Sequence, residues 1–249
     1  MAALATAVSA PLDDLLHLAD NALVLGQRNA EWCGNGPVLE EDIALANMSL
    51  DLIGQARMLY QHAAAVSGNG ATEDSLAYFR DAGDFRNFTL LELPHASASS
   101  ERDYAVTIVR NFLYSAFMLL QWEALQGASD AQLAGIAGKS LKEVSYHFRH
   151  SRDWLVRLGD GTAESQQRTQ AALNLLMPYT AEFWNGDELA PRPHWDELVN
   201  DALAEAGLSR PPLLQAALPH GKNGQHSEHL APLLAEMQSL ARAHPKSLW

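Results

Sequence analysis

Asp51-Leu52-Ile53-Gly54-Gln55-Ala56-Arg57, inside the stretch Leu39–Val66, and Lys142-Glu143-Val144-Ser145-Tyr146-His147, inside Asp130–Leu158, decide the fold of this chain. Both stretches read as long helices. The first opens on Glu40, Glu41 and Asp42, acidic residues that suit the positive end of a helix dipole, and closes at Ser67-Gly68-Asn69-Gly70. It is roughly 40 Å long at 1.5 Å per residue. The second starts at Asp130 and is closed by Gly159-Asp160-Gly161.

Helical periodicity recurs on either side of these two, and strand signals are scarce. A first helix begins near Ser9-Ala10-Pro11, with Pro at an early helical position and Asp13 and Asp14 in the first turn. Leu12, Leu15, Leu16, Ala19, Ala22, Leu23 and Gly26 line one face, and Gly34-Asn35-Gly36-Pro37 ends it. Thr72-Glu73-Asp74-Ser75 opens a short helix from Leu76 to Phe79, followed by a loop from Arg80 to Phe88. A third long helix spans Glu101 to Leu125 and stops at Gly127. Beyond the fourth, a helix over Ala163–Trp184 is expected to bend at Pro178, because proline lacks the N–H. A loop from Asn185 to Pro193, a helix from His194 to Ala206, an irregular Leu208–Lys222 and a last helix from about Ser227 to Ala243, bent or started near Pro232, complete the chain.

Four long helices, with a link between the second and third long enough to cross a bundle, predict an all-α fold. The expected architecture is a ferritin-like four-helix bundle with additional flanking helices, one domain over residues 1–249, with residues 1–10 flexible. No internal repeat or domain boundary interrupts it.

Composition narrows the function. The 249 residues are 47% hydrophobic, enough for a sizeable core. No apolar run approaches the roughly 20 residues of a membrane span. The N-terminus lacks a basic segment of the secretory kind, and the lone Cys33 cannot form an internal disulfide; both point to the cytoplasm, with Cys33 an inert packed thiol. Lys+Arg is 17 against Asp+Glu 30, a formal charge of −13, which argues against nucleic acid and anionic membrane as partners. Ordinary solubility explains that charge; docking to a basic partner is the other reading.

A carboxylate-bridged di-iron bundle takes a Glu from each of two helices and a Glu-x-x-His from each of the other two. The second helix offers Asp51-x-x-Gly54, or Leu52-x-x-Gln55 shifted by one, and the fourth offers Glu143-x-x-Tyr146 with His147 one residue late. The middle of the third helix, Val106 to Gln121, holds no Asp or Glu, and Asp20 on the first helix does not rescue the set. Asp51, Gln55, Glu143 and His147 therefore read as a degenerate site, with no metal and no catalytic residue assigned. Asn47, Asp51 and Gln55 share a helix face, and a buried hydrogen-bond network fixing helix register is preferred there to a remnant metal or proton-handling site. Glu143 and His147, at i and i+4, are within reach of each other.

Other chemistry is thinner. His226-Ser227-Glu228-His229 hints at metal, but capping by Ser227 is the preferred reading. No phosphate loop or G-x-S-x-G is present. Trp32, Trp122, Trp154, Trp184, Trp195 and Trp249 are assigned to packing and interfaces. The loop Arg80–Phe88 mixes Arg, Asp, Asn and Phe; Phe85 and Phe88 are expected as anchors, with a protein or ligand contact as the functional alternative.

Several segments together carry a family likeness: Leu23-Val24-Leu25-Gly26-Gln27-Arg28, Glu31-Trp32-Cys33-Gly34, Asp42 to Asn47, Leu50 to Arg57, Lys142-Glu143 with Tyr146-His147, and His226-Ser227-Glu228-His229-Leu230. From about Leu15 to Trp249 the chain resembles the C subunits of bacterial 1,2-phenylacetyl-CoA epoxidases. The resemblance implies a structural subunit without a working di-iron centre and without a cofactor of its own, not an enzyme by itself. In that family the A subunit holds the di-iron centre and pairs with the C subunit as a heterodimer that doubles to a heterotetramer. A small B subunit joins, and a reductase, the E subunit, docks transiently and passes electrons from NADPH through FAD and a [2Fe-2S] cluster. The complex epoxidises the aromatic ring of phenylacetyl-CoA with O2. With an anionic, aromatic substrate in view, Asp84, Phe85, Arg86 and Asn87 become candidates for contact with substrate, CoA or partner. The alternatives are a ferritin-like oxygenase with its own metal site and a stand-alone helical assembly protein.

Overall fold

A computed structural model describes residues 9–98, 100–185, 189–212, 220–245 and 247. Most of the N-terminal segment expected to be flexible, and Trp249, lie outside the described residues. The elements are α1 (Leu12–Ala30), α2 (Leu39–Ser67), α3 (Glu73–Tyr78), a single turn α4 (Thr89–Glu92), α5 (Tyr104–Leu125), α6 (Ala131–Gly159), α7 (Ala163–Leu176), α8 (Arg192–Glu205) and α9 (Leu230–Ala243). Short 3-10 turns occupy Ala82–Asp84, Met177–Trp184 and Gly221–Asn223.

The long helices α1, α2, α5 and α6 form the ferritin-like bundle. The hairpins α1/α2 and α5/α6 each pack closely, α2 meets α6 between them, and residues 68–103 cross from one hairpin to the other. Local chemistry sets the ends. Gly68, at φ +62°, terminates α2 in the left-handed conformation that only glycine adopts without cost. The Asp103 side chain caps α5 through Ala105 N, and Asp130 caps α6 through Leu133 N. Asp130 also accepts from Ala10 N and meets His62 Nε2 at 2.7 Å. Burial pushes its carboxyl upward, but these hydrogen bonds hold it at about 2.

α1 and α5 are the inner helices. From His17 to Gly26 every residue of α1 is buried, so the single apolar face expected for it is too narrow a description. α7 packs on α5 and α6, as does α8; α9 packs on α3. Phe88, Phe117, Phe183, Trp184 and Trp195 form one aromatic cluster where the accessory helices meet α5.

Five boundaries differ from the expectations. The short helix expected over Leu76–Phe79 runs from Glu73 to Tyr78, because Thr72 caps it through Ser75 N. α5 starts at Tyr104 rather than Glu101, because Asp103 is the capping residue. The Ala163–Trp184 helix loses its α geometry at Met177, next to Pro178, and continues as a 3-10 turn. The helix expected from His194 begins at Arg192, with Pro193 in the first turn. The last helix begins at Leu230, not Ser227, and no side chain caps it; Ser227 Oγ accepts from His229 N before the helix starts. Cys33 is exposed, not packed: in the turn after α1, Trp32 points inward and takes the buried position.

Candidate functional site

The degenerate positions come together along the line where α2 and α6 run antiparallel. His147 Nε2 lies 3.1 Å from Asp51 Oδ2, and Gln55 Nε2 donates to Glu143 Oε2 at 2.9 Å. Glu143 also faces Lys139 Nζ at 3.8 Å. Toward the start of α2, His150 Nε2 meets Glu41 Oε2 at 2.9 Å, and Tyr104 OH donates to the same oxygen. His62 and Asp130 close the other end. Each rung joins α2 directly to the α6 side, so the seam fixes helix register with side chains that pair with one another.

Glu143 and His147, although spaced to touch, both reach across to α2 instead. His147 is buried, while Tyr146, at the position a ligand would take, points out at 42% exposure. Asp51 is half-buried at the seam's margin, Gln55 is buried, and Asn47 on the same face is exposed.

The remaining helices supply no ligands to complete a centre among the described residues. Asp20 on α1 is fully buried but accepts from Tyr60 OH, from both terminal nitrogens of Arg80 and from Arg86 N at 2.7 Å. Burial, and then the charge on Asp20, push the Tyr60 phenol well above its ordinary range. α5 turns Arg110, Asn111, Ser115 and Gln121 inward, and these bond to Pro94 O, Asn29, Ser151 Oγ and the N–H groups of Leu189 and Ala190. Among the described residues, no three His, Cys, Asp or Glu side chains are grouped to hold a metal ion. The donor set does not fit a two-metal centre, which needs carboxylates from all four helices.

The second cluster gathers around the loop 80–92. Phe85 and Asn87 are fully buried, as is Phe88; the Arg80 guanidinium sits 4.4 Å over the Phe85 ring. Asp84 is exposed and Arg86 half-buried, its guanidinium donating to the carbonyls of Gly83 and Phe85. Of the four candidate residues here, Asp84 and Arg86 reach the surface, and Phe85 and Asn87 act as anchors.

Two carboxylates that sequence reasoning passed over organise this region. Glu92, fully buried, accepts from Asn87 Nδ2 at 3.0 Å and from Ser227 N, and meets His226 Nδ1 at 2.8 Å. Burial alone would lower the His226 pKa; Glu92 and the Phe85 carbonyl raise it above its ordinary value. Glu182 accepts from Thr89 N at 2.8 Å, and burial pushes its carboxyl up to about 7 despite the backbone donors. His226 is thus an internal strut between Glu92 and the Phe85 carbonyl. The signal was present in the sequence: Glu92 lies in Leu90-Leu91-Glu92-Leu93, and Glu182 between Ala181 and Phe183. A lone acid in an apolar run must find donors if the run is buried.

Two clefts lie away from the His147–Asp51 and Gln55–Glu143 pairs. One of about 610 Å³ lies between α3 and α9, lined by Tyr78, Phe79, Met237 and Leu240, and one of about 340 Å³ lies beside His17, Gln121 and Leu125. Among the described residues no helix is long and apolar enough to cross a membrane.

Comparison with known proteins adds two findings. The family model described as "Phenylacetic acid catabolic protein" matches residues 3–249. The C subunit of 1,2-phenylacetyl-CoA epoxidase from Escherichia coli (strain K12), a curated protein, is 43% identical over 248 residues, covering 94% of this chain and 97% of that protein.

Proposed function

The chain belongs to the family of phenylacetic acid catabolic proteins, and from that premise we propose that it is the structural, non-catalytic subunit of a phenylacetyl-CoA epoxidase. In this reading it stabilises a separate catalytic subunit that carries di-iron and epoxidises the ring with O2 and NADPH-derived electrons. A small further subunit and a reductase bearing FAD and a [2Fe-2S] cluster complete the assembly. The unit is a heterodimer with the catalytic subunit, doubled to a heterotetramer.

One observation carries the non-catalytic role. The side chains at the ligand positions are committed to each other, His147 with Asp51 and Gln55 with Glu143, and the middle of α5 holds no carboxylate. A bundle built this way keeps its shape without metal, because the groups that would repel or be stranded in an empty site are already paired. A rigid helical surface is then what it offers a homologous partner.

Anaerobic Fe(II) reconstitution followed by desalting tests this directly. Negligible iron per chain is expected. About two irons per chain, the content of a two-metal site, would overturn the reading and make Asp51, Glu143 and His147 the ligands to replace.

A further inference from the structure

Helix α2 has two apolar faces, and only one is covered by the described residues. Its inner face, with Leu45, Met48, Leu52, Ala56 and Leu59, is buried in the bundle. On the opposite side Leu39, Ile43 and Leu50 are 70%, 53% and 67% exposed, with half-buried Ala46 among them; Ile53, 40% exposed, lies at the edge of this face, turned toward Gly26 of α1 and lining a cleft with α3. Positions 39, 43, 46 and 50 step by four, three and four, the heptad seam by which one helix packs against another. Single exposed leucines are ordinary on a protein surface, but four apolar positions in register over roughly 16 Å of helix are not.

Among the described residues nothing covers the stripe. α7 and α8 lie on the α5/α6 side, and α3 touches α2 without burying it. Gly54 supplies a second observation. It sits mid-helix beside Leu50, where glycine is among the poorest helix formers, yet a Cβ there would meet nothing within 4 Å. No close approach among the described residues requires that glycine, whereas a second helix lying against the stripe would.

We infer that the outer face of α2 is the surface on which a helix of the catalytic subunit docks, in left-handed, heptad-type packing. The inference rests on the subunit role proposed above and places the contact. The spacing specifies an α-helix with apolar side chains at matching intervals. A second copy of this chain is disfavoured, because each carries −13 and acidic Glu40 and Asp42 border the start of the stripe, while the basic residue at its far end, Arg57, is paired with Glu73. Basic residues flanking the partner's apolar seam would complement that border.

The test mixes this chain with the catalytic subunit of the complex and follows association by size-exclusion chromatography with light scattering. Leu50→Glu is compared with Leu240→Glu, which places the same charge at another exposed leucine, on α9 and 57% exposed. Helical content and melting temperature confirm that both variants fold. Leu50→Glu should abolish co-elution or raise Kd at least about tenfold, a loss of the size expected at an interface hot spot, while Leu240→Glu should match wild type. Unchanged association of Leu50→Glu overturns the inference and leaves the subunit role standing. A wild-type homodimer that Leu50→Glu splits, with hetero-association intact, assigns the face to a second copy and overturns it too. Failure of the wild-type chain itself to associate removes the subunit role, and the inference with it.

Discussion

Three imidazoles of this chain meet three different surroundings. His17 lies among α1 and the 85–88 loop, its Nδ1 2.6 Å from Arg86 O and its Nε2 3.2 Å from Asn21 Nδ2; burial lowers its pKa to about 3. His95 is driven down to about 2, by burial first and then by the charge of Arg110. His226 is shifted the other way by Glu92. Below about pH 6.5 the unfolded chain protonates His17 and the folded chain does not until about pH 3, so the unfolded state binds more protons and stability falls as the pH drops through that window. Glu182 opposes this between 4.5 and 7, where the folded state holds the extra proton and stability falls as pH rises. The contribution of His17 is isolated by His17→Gln. Denaturant titrations at pH 7 and pH 5 should show the wild type losing about 2 kcal/mol more than the variant on acidification; equal losses would mean that His17 protonates freely in the folded protein. At this scale the sequence was readable where a residue type was out of place. The acid-free stretch of α5 and the late His147 were visible as spacing, whereas the partners of Asp20 were not, since Tyr60, Arg80 and Arg86 are distant along the chain.

At the scale of elements, glycines separate positions that need to be empty from positions that do not. Gly159, at the end of α6, lies under α8: a Cβ there would sit 2.4 Å from Ala206 O, a backbone atom that cannot swing aside. Gly159→Ala should therefore lower stability by more than the gain of about 1 kcal/mol that alanine brings to a helix. Gly54→Ala, where a Cβ meets no neighbour, should raise the stability of the isolated protein by about that amount. Urea titrations of the two variants give opposite signs if the packing described is correct, and the same sign if it is not. Helix starts and stops were legible because caps are local: Asp130, Gly68 and Pro178 act within one turn. The start of α9 was not. Ser227 has the chemistry of a cap, but Glu92, far away along the chain, holds its N–H and His226, and the helix waits until Leu230.

For the whole molecule, a net charge of −13 is set against a few basic side chains at defined places. Arg86 is half-buried at the tip of the 80–88 loop beside exposed Asp84. The proposed subunit role makes Arg86 the residue to test for contact with an anionic acyl-CoA. Arg86→Glu reverses that charge while Phe85 and Phe88 still anchor the loop. The apparent KM of the assembled epoxidase for phenylacetyl-CoA should rise several-fold with kcat little changed, as expected when ground-state and transition-state binding are lost together. An unchanged KM removes Arg86 from the substrate path.

The sequence by itself determined the all-α class, the four long helices, the crossover between the second and third, and the incomplete pattern of di-iron ligands. Each follows from periodicity, local capping or residue type, which need no knowledge of what lies across the core. Only the tertiary structure decided that Glu143 and His147 bond to α2 rather than to each other, and that Phe85 and Asn87 are internal. It alone showed that the described residues leave one apolar face of α2 bare. Those outcomes depend on helix rotation about its axis and on neighbours remote in sequence. A few tens of degrees of rotation turn the same side chain from the core to the seam or to the surface.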